Sequence, residues 1–587
     1  MSGTRTAEWP DAGWPQAIDA VESVVVRPGG WLRRPGFWNA VLVAAVLVVF
    51  TLLAWRQRWM SDDGLIVLRT VRQLLEGNGP VFNAGERVEA NTSPLWTAIL
   101  TAAAVVPGVR LEWLSLLIGL FLAVAGLFLG MDGARRLYRP SGFTSVAPAG
   151  ALVVCALPPF HDFATSGLET GLISCWLGGT WWLLVRHTFD RPDGRVWAIV
   201  VVIGLGPLVR PDLALFSAVA FGALIVLRGP SWGLAWRWLA AAGALPVAYQ
   251  IFRMGYYGLP TPNTALAKEA SAANWARGWA YFLDLITPYA LLIPVLLLAV
   301  AVGLLVNSGR LGRAYAVLAL SPVLAAVALA LYVTRVGGDF MHGRMLLPAL
   351  FCLLLPVMVV PVTRWTVAVL VAVAVWAVVA GGWLRAPYAA LPGAAGVTDE
   401  RGYWVWATGV KNPILAEDYA KYPGMPRQLA ELREVTEPSV LAKGVSSWQV
   451  YPSARPHSVV ATDSMGALGL LTPLDLWIHD TYGLATPLGS HTLSVSGRSG
   501  HEKRFPALWE IADSGVGNWD TRGQASVASP NQIDQARAAL RCPEIAEILS
   551  SVRAPLTFGR FWDNLTGAVH RSGVRFSSDP AVSSRCE

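Results

Sequence analysis

Residues 55–96 read WRQRWMSDDGLIVLRTVRQLLEGNGPVFNAGERVEANTSPLW, and their most unusual feature is the adjacent carboxylate pair Asp62 and Asp63. The stretch directly follows the first long apolar segment of the chain. It therefore places two carboxylates at the edge of a bilayer, where an uncompensated charge is expensive. This position predicts a functional site in the loop after the first membrane span.

A short amphipathic helix is predicted directly after the pair. Apolar residues recur at helical spacing and polar residues fill the opposite face, as in a helix that lies on a membrane surface. The apolar positions are Leu65, Leu68, Val71, Leu74 and Leu75, and the polar ones are Arg69, Arg72 and Gln73. At the start of such a helix, unpaired N–H groups and the helix dipole favour an ionised carboxylate, which suits a general base or a metal ligand. The alternative is that Ser61 or Asp62 only caps the helix.

The composition is that of a membrane protein with many spans. The chain has 587 residues, of which 54% are hydrophobic and 14% are charged, and its mean hydropathy is +0.46. It is too apolar for an ordinary soluble protein and too long for a simple anchor. The formal net charge of +7 does not indicate a nucleic-acid partner, because basic residues collect in the cytoplasmic loops of membrane proteins. The sequence contains no nucleic-acid-binding motif.

The charges of the loops predict the orientation of the chain. Arg33 and Arg34 precede the first apolar run and place the N-terminal tail, residues 1–36, in the cytoplasm by the positive-inside rule. Residues 95–106 are predicted as a second interfacial helix, so that residues 56–113 form one external loop that carries Asp62 and Asp63. The eleven predicted spans are residues 37–55, 114–131, 146–157, 168–185, 196–208, 213–227, 238–252, 290–306, 314–333, 346–362 and 365–384.

Six unusually polar loops fall on the outer side of this topology. They are SDDG at 61–64, ERVEANTS at 86–93, PPFHDFATSGLET at 158–170, VRPD at 209–212, FRMGYYGLPTPNTALAKE at 252–269 and RVGGDFMHGR at 335–344. Scattered structural charges would fall on both sides of the membrane about equally, whereas charges around one wet cavity fall on one side. The sequence therefore predicts an extracytoplasmic active site in the plasma membrane. That compartment has no nucleotide pool, so an activated group must arrive on a lipid carrier.

Residues 386–587 are predicted to form a second, soluble domain outside the membrane, after a transmembrane domain of residues 37–385. Hydropathy falls there, and strand-like runs such as SVVATDS at 458–464 and PLDLWIHD at 473–480 favour mixed α/β or β-rich structure. Its tryptophans could stack on carbohydrate or belong to the core. They are Trp404, Trp406, Trp448, Trp477, Trp509, Trp519 and Trp562. Cys542 and Cys586 lie in a compartment that permits a disulfide, which would stabilise the domain by about 4 kcal/mol.

Transfer of a sugar from a polyprenyl phosphate to a hydroxyl requires a base near the acceptor and cations that hold the departing phosphate. For the base we nominate Asp62 first and Asp63 second, because successive helical residues point in different directions and one can face the acceptor while the other caps the helix or holds a cation. The phosphate-binding candidates are Lys268, His342 and Arg344, with Arg210 and Arg253 in reserve. Each of these cations could instead anchor its loop at the membrane surface.

Other polar residues of the outer loops are candidates for binding the sugar or the acceptor. They are Glu89, Asn91, His161, Asp162, Glu169 and Asp339. Glu169 and the pair His161 and Asp162 could hold sugar hydroxyls or a divalent cation, but no spacing in the chain is a metal-binding motif. No cofactor is therefore assigned, and a divalent cation stays an open alternative.

The order of an acidic pair, an interfacial helix and the run GNGPVFNAGERVEANTSPLW at 77–96 resembles the GT-C glycosyltransferases, which use polyprenyl-phosphate sugars. Longer stretches are similar to the mycobacterial arabinofuranosyltransferases of that class. They are WMSDDGLIVLRTVRQLLEGNGPVFNAGERVEANTS, PPFHDFATSGLE, PVAYQIFRMGYYGLPTPNTALAK and GGDFMHGR. The resemblance extends from about residue 37 to the C-terminus and is weaker between residues 387 and 457.

This resemblance implies a GT-C fold that transfers arabinofuranose from decaprenyl-phosphoryl-arabinose to arabinan, as terminal β(1→2) residues of arabinogalactan and lipoarabinomannan in cell-wall biosynthesis. In the GT-C pattern the acidic residue of the first external loop is catalytic, which corresponds here to Asp62 or Asp63. The resemblance also implies β linkages in both donor and product, hence retention of configuration. A second carboxylate as a transient nucleophile, or internal return on one face, would each account for retention.

Two other functional classes stay open. Another polyprenyl-phosphate-dependent transferase, such as a mannosyltransferase, fits the individual residues equally well. A lipid-linked sugar transporter or flippase would also have many spans, but it should show paired broken helices in matching halves. The sequence contains no internal repeat, which disfavours the transporter.

Overall fold

The structure is a computed structural model that describes residues 35–191, 194, 196–269, 272–384, 396–444, 448–495, 497–515 and 527–586. The predicted cytoplasmic tail, residues 1–36, lies outside the described residues except for its last two positions. Trp519 and the predicted domain boundary at residues 385–386 also lie outside them. The described part of the chain is mostly helical.

Residues 35–384 fold into consecutive helices with a small antiparallel ribbon between them. In chain order the helices are α1 Pro35–Arg56, α2 Asp62–Leu75, α3 Pro94–Ala103, α4 Leu111–Tyr138, α5 Ala149–Ala156, α6 Pro158–Ala164, α7 Thr170–Phe189, α8 Val196–Gly204, α9 Gly206–Val209, α10 Ala214–Arg228, α11 Trp232–Tyr257, α12 Asn263–Ala267, α13 Trp275–Ile286, α14 Leu292–Val306, α15 Arg313–Arg335, α16 Leu347–Leu354 and α17 Val367–Trp383. The ribbon pairs β1, Val146–Ala147, with β2, Val360–Pro361.

Four helices within the described residues are long and apolar enough to cross a membrane. They are Gly36–Arg56, Leu111–Ser141, Pro211–Arg228 and Arg313–Arg335, and they make the chain a membrane protein. Several other predicted spans correspond to shorter helices, such as α5 with 8 residues. A helix of that length is about 12 Å long, well below the roughly 30 Å of a hydrocarbon core. The count of eleven spans therefore stays a prediction.

Glycines bring α4 and α7 into close contact. A Cβ added to Gly171 would lie 2.0 Å from the carbonyl oxygen of Gly119, and one added to Gly178 would lie 2.6 Å from that of Gly126. Small residues at facing positions let two helix backbones approach closely, as is common between membrane helices. This contact also positions the start of α7, where Glu169 precedes the first turn.

The amphipathic helix α2 is buried on its polar face as well as on its apolar face. Arg69 is fully buried and donates from Nε to the carbonyl of Phe82 at 2.9 Å and from Nη2 to the carbonyl of Leu476 at 2.7 Å. Arg72 donates from Nη1 to the carbonyl of Leu470 at 2.8 Å. The face that the periodicity directs toward water is therefore covered by the C-terminal part of the chain.

The C-terminal part combines short helices with one mixed sheet. Its elements are α18 Glu400–Thr408, α19 Ala416–Tyr419, α20 Met425–Glu434, β3 Ser439–Lys443, β4 Trp448–Pro452, β5 Val459–Thr462, α21 Met465–Leu471, β6 Trp477–Asp480, α22 Pro487–Ser490, α23 Leu508–Asp513, α24 Pro530–Leu540, α25 Pro543–Arg553, α26 Phe558–Gly573 and α27 Pro580–Ser583. The strand order is β4-β3-β5-β6, with β4 antiparallel to β3 and the other pairs parallel. The expectation of mixed α/β structure is confirmed, and both predicted strand segments are strands.

The sheet packs as a covered layer. Every residue of β5 and β6 is buried, which is typical of parallel strands with both faces covered. Trp477 and Trp509 belong to this core, so the core interpretation holds for those two tryptophans. Cys542 and Cys586 form a disulfide, with their Cα atoms 5.3 Å apart.

Candidate active site

Asp62 is the first residue of α2, and its carboxylate binds the first turn of another helix. Its Oδ1 accepts a hydrogen bond from the N–H of Ala467 at 2.8 Å, and its Oδ2 accepts one from the N–H of Gly466 at 3.2 Å. Gly466 leaves no room for a side chain, because a Cβ there would lie 2.0 Å from the carbonyl oxygen of Asp62. Burial raises the pKa of Asp62 to about 7, and the two N–H groups act in the opposite direction. Asp62 thus joins α2 to α21.

Asp63 points instead toward two cations. Its Oδ2 lies 3.8 Å from Nζ of Lys268 and 3.6 Å from Nη1 of Arg344. Both distances exceed a hydrogen bond, whereas Nη2 of Arg344 lies 2.8 Å from Oδ2 of Asp339. The side chain of Asp63 is 22% exposed. Asp63 is therefore held less tightly than Asp339 and is open to a ligand.

A cavity of about 190 Å³ opens beside Asp63 toward the membrane helices and is named here the membrane-side cavity. Its apolar wall includes Ile66, Val67, Tyr332, Val336 and Met345, which come from α2, from α15 and from the segments that follow α15. Its polar lining includes Asn91, Glu169, Arg210, Asp212, Thr264, Lys268, Asp339 and Arg344. Three cations from three separate loops therefore converge on one space, together with several carboxylates.

A second cavity, of about 150 Å³, lies on the other side of Asp63 and is named here the sheet-side cavity. It opens at the carboxyl ends of β5 and β6, where Asp463, Ser464 and Asp480 line it, and ligands of parallel sheets bind at this edge. Its aromatic lining consists of Phe340, Tyr403, Trp404, Tyr422 and Tyr482. Asp63 and Lys268 line both cavities and therefore stand where the two cavities meet.

Arg210 connects two loops of the membrane-side cavity. Its Nε lies 2.6 Å from Oδ1 of Asp212, and its Nη1 lies 3.7 Å from Oε1 of Glu169. The Arg210 side chain is buried, and Glu169 immediately precedes α7. The structure thus brings Arg210 and Glu169 to the same cavity as Asn91 and Arg344.

Arg253 and Glu89, two other candidates, line neither cavity. They form a buried ion pair in which Nε of Arg253 lies 2.6 Å from Oε2 of Glu89. The hydroxyl of Tyr249 donates to Oε1 of Glu89 at 2.7 Å. Because each charge neutralises the other, the structure assigns this pair to holding α11 against the loop of residues 86–93 rather than to a ligand.

His342, His161 and Asp162 also lie away from the two cavities. The Nδ1 atom of His342 lies 2.7 Å from Oδ2 of Asp284, and its Nε2 atom lies 3.0 Å from the hydroxyl of Tyr289. His161 and Asp162 are buried in α6. Their placement on the outer side of the membrane stays a prediction, and the sequence did not reveal that protein groups surround these residues.

Glu400 is a candidate that the sequence analysis missed. It begins α18, is buried, and lines the sheet-side cavity with Asp63. Its Oε1 accepts hydrogen bonds from Oγ of Ser61 at 3.0 Å and from Nε1 of Trp404 at 3.2 Å. Burial and then the Asp63 charge raise the pKa of Glu400 to about 8. The available signal was a second acidic pair, Asp399 and Glu400, ahead of an aromatic run.

Glu400 predicts a pH dependence of stability that one substitution should remove. Its pKa in the fold lies above the ordinary value of 4.5, so between these two values the folded protein binds one proton more than the unfolded chain. Stability should therefore decrease as the pH rises through this window, by up to about 1.4 kcal/mol per pH unit, and then level off. Glu400→Gln keeps the shape without the titration. We expect the difference between the thermal midpoints of Glu400→Gln and of wild type to increase in favour of the variant from pH 6 to pH 9. If the midpoints of both proteins change in parallel with pH, the raised pKa is contradicted.

Comparison with known proteins gives three matches. A family model described as the AftB family C-terminal domain matches residues 443–585. The terminal beta-(1->2)-arabinofuranosyltransferase of Mycobacterium tuberculosis is 40% identical, over 93% of this chain and 96% of its own length. The protein of the same name from Corynebacterium glutamicum is 37% identical, over 90% of this chain and 84% of its own length. No solved structure gives a significant match.

Proposed function

The chain belongs to the terminal β-(1→2)-arabinofuranosyltransferase family, and on that premise we propose that it transfers arabinofuranose from decaprenyl-phosphoryl-arabinose to the non-reducing ends of arabinan. As an arabinofuranosyltransferase it is a pentosyltransferase. We further propose that both cavities face the extracytoplasmic side of the plasma membrane. The observation that carries the site assignment is the position of Asp63 where the membrane-side and sheet-side cavities meet.

The membrane-side cavity suits the lipid-linked donor. Its wall combines side chains of the membrane-spanning part with Lys268, Arg344 and Arg210. A phosphodiester needs cations with N–H groups directed at its oxygens, and arginine supplies a planar fork for that purpose. Asp63 lies beyond hydrogen-bond distance of Lys268 and Arg344, so a phosphate oxygen can compete for both cations. The prenyl chain would leave along the apolar wall.

The sheet-side cavity suits the polysaccharide acceptor. Five aromatic side chains line it, and the C–H faces of sugars stack on aromatic rings while their hydroxyls bind carboxylates and amides. Asp463 and Asp480 supply carboxylates at the same rim. An arabinan end bound here would bring its terminal hydroxyl toward the place where the two cavities meet.

We propose that Asp63, rather than Asp62, acts on C1, the reacting carbon of the arabinose. Asp62 lines only the sheet-side cavity and accepts the N–H groups of Gly466 and Ala467 with its two carboxylate oxygens. Asp63 lines both cavities. In the transfer, the bond from C1 to the phosphate oxygen breaks, a bond from C1 to the acceptor oxygen forms, and the acceptor proton passes to a carboxylate.

On this assignment, Glu400 allows a reaction that retains the configuration at C1. Asp63 would attack C1 as the phosphate departs. The departing phosphate would take the proton of Glu400. The Glu400 carboxylate would then accept the proton of the acceptor hydroxyl as that oxygen displaces Asp63. This is the division of labour of paired carboxyl groups in retaining glycosidases. The raised pKa of Glu400 supports it, because an acid must carry a proton before the first step.

Donor specificity tests the proposed function. The purified full-length protein in lipid nanodiscs is given synthetic decaprenyl-phosphoryl-arabinofuranose or the matching mannose lipid, with a short synthetic arabinan. We expect one arabinofuranosyl residue to be added in a β(1→2) linkage, identified by NMR, and no transfer of mannose. Efficient transfer of mannose would identify a different transferase of the same fold. Movement of the donor across the bilayer without transfer would identify a flippase.

A further inference from the structure

Helix α26 presents three different faces. One face packs on the protein through the buried residues Asn564, Ala568 and Arg571. A neighbouring stripe is apolar and falls within about 60° of arc at roughly 100° per residue. This stripe consists of Phe558, Trp562, Leu565 and Val569, and is named here the α26 stripe. Phe558 is 85% exposed, Trp562 is 56% exposed and Val569 is 66% exposed, so these large apolar side chains are not covered by the described part of the chain.

The remaining face of α26 is polar and exposed, with Asp563, Thr566 and His570 on it. A helix with adjoining apolar and polar exposed faces is typical of helices that lie in the plane of a membrane surface. A contiguous exposed apolar stripe otherwise marks a protein contact or a ligand groove. The surroundings of α26 decide between these alternatives.

Helix α26 lies against the end of a predicted membrane span. Nδ2 of Asn564 donates to the carbonyl of Gly255 at 3.1 Å, and Nε of Arg571 donates to the carbonyl of Gly258 at 3.0 Å. A Cβ added to Gly255 would lie 2.2 Å from the ring of Phe561. These contacts place α26 directly on the last turns of α11.

The face of α11 beneath α26 continues as an exposed apolar surface. Ile251 and Val247 precede Gly255 by one and two helical turns, so they lie on the same side of α11. They are 47% and 57% exposed, and both belong to the predicted span of residues 238–252. If residues 238–252 cross the membrane as the sequence predicts, these side chains face acyl chains. On that prediction, the α26 stripe lies beside a lipid-facing surface.

We infer that α26 is an in-plane membrane helix whose stripe is buried among lipid acyl chains beside the end of α11. The C-terminal part would then be docked on the bilayer rather than suspended above it. The neighbouring helix α25 would share this anchor, and it also holds the loop of residues 86–93. There, Nη2 of Arg87 donates to the carbonyl of Ser551 at 2.9 Å. The inference depends on the chain being a membrane protein and is independent of the sugar that is transferred.

Spin-label accessibility tests this inference in the full-length protein in lipid nanodiscs. Nitroxides are attached to single cysteines on the α26 stripe, at residues 558, 562 and 569, and on its polar face, at residues 563 and 570. The background replaces Cys155, Cys175 and Cys352 by alanine. Asp534 on α24, whose side chain is 72% exposed, gives the matched aqueous control. We expect the stripe positions to be several-fold more accessible to oxygen than to a nickel chelate, with the reverse at residues 563, 570 and 534.

Two outcomes would overturn the inference. Chelate accessibility at residue 562 equal to that at residue 534 would place the stripe in water. Low accessibility to both reagents would show that a second copy or another protein covers it. If the background without the three free cysteines does not fold, a benzophenone amino acid in place of Trp562 in the otherwise native chain gives a second measurement. Lipid adducts are then expected, and protein adducts or no adducts would contradict the inference.

Discussion

Asp63→Asn should lower kcat/KM for arabinose transfer by at least about 10²- to 10⁴-fold, because it removes the proposed nucleophile and even the loss of a positioned acid or base has an effect of that size. Among the residues that the structure describes, the variant removes the one carboxylate that lines both cavities. It should not weaken donor binding, because a carboxylate near Lys268 and Arg344 competes with the donor phosphate for the same cations. We therefore expect turnover to be lost while the donor Kd, measured with a non-transferable analogue, stays unchanged or falls.

Asp62→Asn is the matched control, because it makes the same chemical change one residue earlier. An asparagine at position 62 can accept at only one atom, so one of the N–H groups of Gly466 and Ala467 would face an amide N–H instead of an acceptor. An unsatisfied buried donor costs about 1–3 kcal/mol. We expect Asp62→Asn to lower the thermal midpoint and Asp63→Asn to leave it nearly unchanged. Near wild-type turnover of Asp63→Asn would refute its assignment to the reacting carbon.

Arg344→Met should raise the KM for the lipid donor by about 10- to 100-fold, since a hydrogen bond to a charged group contributes about 1.5–3 kcal/mol. The KM for the arabinan acceptor should change much less, because Arg344 lines the membrane-side cavity and not the sheet-side cavity. Initial rates measured against each substrate in turn separate the two effects. Equal changes in both KM values, or none, would assign Arg344 to structure alone.

Stability has to be controlled in this experiment, because Arg344 also pairs with the buried Asp339. Removing one member of a buried ion pair costs about 3–5 kcal/mol. Arg344→Lys keeps a charge beside Asp339 but loses the planar fork, so we expect it to fold like wild type and still to show a raised donor KM. Asp339→Asn keeps the cation and removes its partner, and it should leave the donor KM nearly unchanged.

Periodicity and hydropathy predicted much of the framework correctly. The first apolar run, the amphipathic helix after it and the strands around Val460 and Ile478 all depend on residues that are close in sequence. The helical periodicity of α2 gave a wrong prediction for its polar face, which was expected to contact water. Arg69 resembles a water-facing residue because it lies on the face of the helix opposite to the leucines. In the fold it instead donates to the carbonyl of Phe82 and to that of Leu476, which lies far along the chain.

The candidate site was predicted in part. The sequence identified Asp63, Lys268, Arg344, Arg210 and Glu169, because polar residues in outer loops of a membrane protein are expected to share a cavity. It could not separate these from Arg253 and Glu89, which belong to equally polar sequence segments and neutralise each other in the fold. It also missed Glu400, which only the folded chain brings beside Asp63.

The sequence by itself determined that this is a membrane protein with an acidic pair after its first long apolar helix, and its resemblances determined the family. Only the tertiary structure decided which carboxylate is open to a ligand, because Asp62 is bound by N–H groups 404 and 405 residues later in the chain. Apolar periodicity is a local property that a sequence displays directly. Whether a charge is neutralised depends on the partner that folding brings close to it. The local sequence pattern does not identify that partner.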